Sequence, residues 1–291
     1  MAKKKMLYIF IIFIIIIIIL FISFGLFLPS NNTNTITSED KFIEIRNSRI
    51  RFKFIKRSSD VNLIFLHSFG GSLEMWDSLS SYFKNENILA FDLIGFGKSD
   101  KPDIDYNLET QVRYLNALLD SLKIKQCILI GSSMGASISL WAASKYPDRF
   151  IKVAAFAPSG FPGSMIHEWP GNFFYKPGVL NKIGCYITDL PLFTFLFPNS
   201  LGHQTFNITS CYDDSFINAI TRINQPVLLL WSRSDKRCLF NYSGEYLKRM
   251  KNSSLYELPS EAKHNGQTFQ PEAASKIIAE FIYRSTNIFT D

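Results

Sequence analysis

Cysteine is scarce in this chain, with four among 291 residues, and no two stand at Cys-x-x-Cys spacing. A structural zinc site of the usual kind needs that spacing and is excluded. Histidine is equally rare, also four, which leaves few groups able to exchange protons near neutral pH. A large charge of one sign is missing too. Lys and Arg number 31 against 25 Asp and Glu, and three of the cations are Lys3, Lys4 and Lys5. The remainder is 28 against 25, or +3, with no basic stripe interleaved with aromatics, so nucleic acid is excluded as a partner. There is no internal repeat, and the isoleucine run near the start is the sole low-complexity tract.

That run is the first positive feature. No charge occurs from Met6 to Leu28, which is enough apolar chain to cross a bilayer core as a helix. The run exceeds a usual signal-peptide core and no Ala-x-Ala-like site follows it, so an uncleaved anchor is expected. Three lysines precede the span and the first cation after it is Lys41, which keeps residues 1–5 cytoplasmic and puts the rest across the membrane, extracytoplasmic or lumenal. Residues 29–41, with "NNTNTITSED", read as a polar tether. In such a compartment Cys185 and Cys211 are able to pair, and Asn31, Asn207, Asn241 and Asn252 fit Asn-x-Ser/Thr. Cys127 lies in the apolar run "QCILI" and reads as a packed thiol, while Cys238 has no expected partner.

The remaining stretch, about 250 residues, suits one large α/β domain as well as two small ones. "FIEIR" and "IRFKF" alternate and read as an antiparallel pair. Then apolar runs alternate with amphipathic ones: strand "VNLIFLH", helix "LEMWDSLSSYF", strand "NILAFDL", helix "ETQVRYLNALLDSL", strand "QCILIG", helix "MGASISLWAASKY" and strand "KVAAFAPSG". Strands that are apolar throughout are buried on both faces, as in a parallel sheet wrapped by helices. From Phe161 to Ile223 the period is lost and Phe, Pro, Tyr and Gly accumulate, as expected of an inserted cap. The sheet resumes with "PVLLLW", helix "YSGEYLKRM", strand "SLYELP" and helix "PEAASKIIAEFIYR". The core is thus 42–160 with 224–291, and the cap is 161–223.

"GSSMG" (131–135) follows a strand and opens a helix, with glycines two residues either side of Ser133. A sharp strand-to-helix turn of that kind presents its central side chain for attack, so Ser133, not Ser132, is the expected nucleophile. A serine hydroxyl needs a base, and the base needs an acid, in chain order serine, acid, histidine. His264 stands in the loop after the last strand, whereas His203 is deep in the insertion. Asp235 stands just past the end of "PVLLLW". Asp213 and Asp214 precede that strand and read as a helix start or solvated face, and no carboxylate follows "KVAAF". The expected triad is Ser133, Asp235 and His264. The oxyanion needs two preset N–H donors, assigned to Met134 and, in the turn "HSFGG", to Phe69. His67 reads as a structural histidine that bonds loop backbone.

In these blocks the chain resembles the α/β-hydrolase fold family, in its capped serine esterase and lipase branch, and is similar to membrane-anchored acylglycerol lipases. The resemblance covers about Phe42 to Tyr283 and rests on "HSFGGSLEMW", "FDLIGFGKSD", "GSSMGA", "PVLLLWSRSD" and "HNGQTFQPE". It implies a mostly parallel sheet with a cap after the sixth strand, a structural role for the Asp92 loop, and ester hydrolysis through an acyl-enzyme with no cofactor or metal. C–C bond hydrolases, perhydrolases and non-catalytic binding proteins share the framework. An aspartate at the turn would imply a dehalogenase or epoxide hydrolase; serine argues against both. Four positions depart from the family's glycines: Ser68, Ala136, Ser232 and Lys263.

In the insertion Phe161, Trp169, Phe173, Phe174, Tyr175, Tyr186, Leu190, Leu192, Phe193, Phe195, Leu196 and Phe197 carry much apolar surface. Most are expected to pack cap on sheet, and the rest to wall an acyl site for a small ester or lipid substrate.

Overall fold

The computed structural model describes residues 40–102, 104–161 and 214–284. The expected anchor, the tether up to Glu39 and most of the cap, with Cys185, Cys211, His203 and Asp213, lie outside the described residues. Among the described residues no helix is long and apolar enough to cross a membrane.

The two alternating runs form a hairpin, β1 (Lys41–Ile45) and β2 (Ser48–Ile55), paired antiparallel. Arg46 and Asn47 turn it with φ of 52° and 60°, the two-residue turn whose twist matches the strands. The apolar runs then become β3 (Asn62–Leu66), β4 (Asn87–Phe91), β5 (Cys127–Ser132) and β6 (Phe150–Phe156), followed after the insertion by β7 (Val227–Ser232) and β8 (Ser253–Leu258). The sheet order is β1-β2-β4-β3-β5-β6-β7-β8, and every pairing from β4 onward is parallel. After β3 the chain steps to one side to make β4, then crosses back to make β5. The strand order therefore reverses between β3 and β5, the place where open α/β sheets bind ligands beyond their carboxyl ends.

The helices follow the amphipathic runs: α1 (Asp77–Ser80), α2 (Leu108–Ser121), α3 (Met134–Lys145), α4 (Asp214–Ile220), α5 (Ser243–Arg249), α6 (Gly266–Phe269) and α7 (Pro271–Tyr283). Asn107 starts α2 by accepting the Thr110 N–H (2.9 Å), and Pro271 opens α7 at the position where a missing N–H costs nothing. Both faces of the sheet are covered. In β3, Ile64 and Leu66 join the cluster under α2 and α3, while Leu63 and Phe65 join the one containing Trp76 and Ile278 of α7.

Two expectations shift. The helix expected over 73–83 is a 3-10 turn, Leu73–Trp76, and the single turn α1. Its first N–H, on Leu73, goes to the Asp92 carboxylate (2.7 Å), and Ser81 Oγ bonds back to the Ser78 carbonyl (2.7 Å) at its end. Within 161–223, α4 belongs to the core wall. Phe216, Ala219 and Ile220 are buried, and Gly160 leaves the space in which a Cβ would meet the Phe216 ring at 2.2 Å. Asp214 opens that helix, as expected of a helix start.

Candidate active site

Ser133 sits at the tip of β5 with φ 52° and ψ −111°, a conformation that a side-chain-bearing residue holds at a cost of about 1–3 kcal/mol. The flanking glycines make the turn possible. A Cβ on Gly131 would meet the Gly135 carbonyl oxygen at 2.4 Å, and one on Gly135 would meet the Leu66 carbonyl oxygen at 2.2 Å. The start of α3 therefore lies against the end of β3, beside the turn that carries Phe69. The Ser133 backbone is fixed on both sides: its N–H donates to Phe156 O (2.8 Å), and its carbonyl accepts from Ser137 N (3.0 Å), Ser137 Oγ (3.3 Å) and Ser159 N (3.4 Å).

Asp235 and His264 come together from the loops after β7 and β8. Asp235 is buried; its Oδ1 accepts the N–H groups of Arg237 (2.8 Å) and Cys238 (2.9 Å), and its Oδ2 lies 2.8 Å from His264 Nδ1. A carboxylate only accepts, so Nδ1 carries the proton and Nε2 is the free base atom. The two loops are joined again by Ser232, whose hydroxyl donates to Pro259 O (3.1 Å), and by Ser234, which donates to Ser260 O. Among the described residues no hydrogen bond joins Ser133 to His264. The Ser133 hydroxyl rests instead 3.8 Å from Cys238 Sγ.

His67 is fully buried. Its Nε2 accepts the Leu93 N–H (3.0 Å), so Nδ1 is the protonated atom and donates to Ser68 O (2.7 Å). Burial pushes its pKa down, which leaves it neutral and occupied with backbone, as its place in the sequence implied. Gly71 N closes the turn on Ser68 O (3.0 Å), and the Phe69 ring meets Phe96 edge-on at 5.7 Å. The Asp92 loop supports this turn from behind: the buried carboxylate accepts from Leu73 N and Lys98 N (2.8 Å), and Gly97 (φ 52°) runs where a Cβ would strike it.

The four departures from glycine sort by backbone. Ser68, Ala136 and Ser232 are not at positive φ, so a side chain is tolerated there. Lys263, next to His264, has φ 47° and ψ −129°. Replacing Lys263 by glycine is expected to raise stability by about 1 kcal/mol, read as a higher melting temperature of the full-length chain. An unchanged or lower midpoint would show that the strain is not real.

The sequence profile of the alpha/beta hydrolase fold matches residues 61–183. A haloalkane dehalogenase of Agrobacterium fabrum is 38% identical over 105 residues, 36% of this chain but only 34% of that protein. Epoxide hydrolase 4 of Homo sapiens is 25% identical over 291 residues, 84% of this chain and 79% of that one. A bacterial membrane phospholipase A superposes with a TM-score of 0.65 at 19% identity, covering 96% of this chain and 98% of its own. The chain has the α/β-hydrolase fold. Its relatives include hydrolases of unlike substrates, so the fold leaves the reaction to be argued from the site.

Of the apolar insertion residues, Phe161 lies within the described chain. It is buried, edge-on to Tyr246 at 4.7 Å, and so serves packing. Cys238 was the residue whose place in the site the sequence reading missed. Its position three residues after the acid was the available signal.

Proposed function

We propose that this protein is a membrane-anchored serine hydrolase that cleaves carboxylic esters, those of lipids or acylglycerols, through an acyl-enzyme. The observation that carries the reading is the 2.8 Å hydrogen bond between Asp235 and His264, beside a serine held at φ 52° on the strand tip. His264 Nε2 takes the proton of Ser133 as its oxygen attacks the ester carbonyl, with Met134 and Phe69 N–H groups receiving the oxyanion. The alcohol leaves with that proton, and water then repeats the sequence on the acyl-serine. Among relatives named for dehalogenation and epoxide opening, the serine at the turn favours acyl transfer, because a serine ether formed with an alkyl group has no carbonyl for water to attack.

The lipid reading rests on the uncharged run Met6–Leu28 and on the aromatic insertion, which together keep an apolar ester near its pocket. The kcat/KM for esters is expected to rise from acetate to medium and long acyl chains, with Ser133→Ala as the blank. A flat or inverted profile removes the lipid substrate and leaves the serine chemistry standing. Retention of the full-length chain in membranes after carbonate washing is expected of the anchor; release refutes it.

A further inference from the structure

Cys238 has no part in the acyl-enzyme cycle, yet it touches both the acid and the nucleophile. Its N–H donates to Asp235 Oδ1 (2.9 Å), its carbonyl is held by Trp231 Nε1 (2.9 Å), and its sulfur lies 3.8 Å from Ser133 Oγ. The residue is completely enclosed, and Ser133 is 5% exposed. Burial and the nearby Asp235 charge push the thiol up to about 12, so it stays protonated at neutral pH and does not compete as a nucleophile. Sulfur is also a poor hydrogen-bond partner compared with an imidazole nitrogen. The hydroxyl is thus held by a contact that is real but easily given up.

We propose that Cys238 is a positioning residue whose thiol keeps Ser133 Oγ in a resting rotamer, away from its base, and yields it to His264 Nε2 when substrate fills the pocket. The proposal rests on the serine-hydrolase reading above. It explains why the acid and base are paired while the nucleophile is turned to sulfur.

The test uses the full-length chain and a fluorophosphonate probe. Cys238→Val fills the space without a polar atom and should label about threefold faster than wild type, the worth of one weak hydrogen bond. KM for a p-nitrophenyl ester should fall while kcat stays unchanged, because the contact is given up on binding, and a crystal structure of the variant should show Oγ within hydrogen-bond reach of His264 Nε2. Cys238→Ala, which adds no bulk, must move labelling in the same direction. A thiol that merely packs would give slower labelling in both variants together with lower melting temperatures, and that result overturns the proposal. Equal labelling of wild type and both variants overturns it as well. A folded wild-type chain that does not label at all removes the hydrolase reading, and this inference with it.

Discussion

Ser133→Ala should lower ester turnover by about 10⁵-fold or more, and adding His264→Ala to it should cost little further, because the groups act as one unit. The reason is in the geometry. His264 Nε2 has nothing to activate without the hydroxyl, and the hydroxyl has no proton acceptor without His264. Asp235→Asn is a finer test. The amide nitrogen would donate where Oδ2 now accepts from Nδ1, driving the imidazole to the tautomer protonated on Nε2; a loss of about 10⁴-fold is expected. Circular dichroism and melting must match wild type for these values to count, since Asp235 also holds the N–H groups of Arg237 and Cys238. Near-full activity of folded His264→Ala would remove the assignment.

The sheet was legible because its parallel strands are apolar on both faces; β3, β5 and β7 leave no alternation to mistake for a half-exposed strand. The meeting of Asp235 with His264 was legible for a related reason. In a parallel sheet the loops after adjacent strands lie at one end, so residues just past β7 and β8 are neighbours whatever their sequence separation. Where contacts override local pattern, reading from sequence failed. The run 73–83 has a helical spacing, but it forms only a 3-10 turn and one α turn, closed at its end where the Ser81 hydroxyl bonds back to the Ser78 carbonyl. In α4 the spacing of Phe216, Ala219 and Ile220 is helical, yet seven residues within an aperiodic stretch do not announce themselves. The place of Cys238 three residues after the acid was visible, but its meeting with Ser133, 105 residues away in sequence, was not, because it depends on the path of one loop. At Lys263 the departure from glycine was visible, but only the backbone angle separates it from the harmless ones at 68, 136 and 232.

Arg51→Met should destabilise the fold by about 3–5 kcal/mol at neutral pH, the usual result of stripping a buried carboxylate of its cation. Arg51 is buried between three acids: its guanidinium bonds Asp40, Glu74 and Asp92, the last at 3.3 Å. Asp92 is wholly enclosed and keeps only the N–H groups of Leu73 and Lys98 as donors to its carboxylate once Arg51 is gone; Asp40 keeps Lys98 Nζ at 2.8 Å. Glu74 gives the loss a pH signature. Burial raises its pKa, but hydrogen bonds from Arg51 and Ser72 outweigh that and bring it to about 2 from the ordinary 4.5. A depressed carboxylate stabilises the fold fully above its unfolded value and loses that contribution as pH falls through its folded value. The gap in urea midpoint between wild type and Arg51→Met should therefore be widest above pH 5 and narrow as pH falls from 4.5 toward 2. A gap that stays constant or widens on acidification would mean that Arg51 acts by packing its stem and not by holding these acids. Because Asp92 anchors Leu73, and Leu93 beside it donates to His67, the same substitution should lower kcat more than it raises KM. On the proposed mechanism the Phe69 N–H receives the oxyanion, and the turn that carries Phe69 is braced by that network.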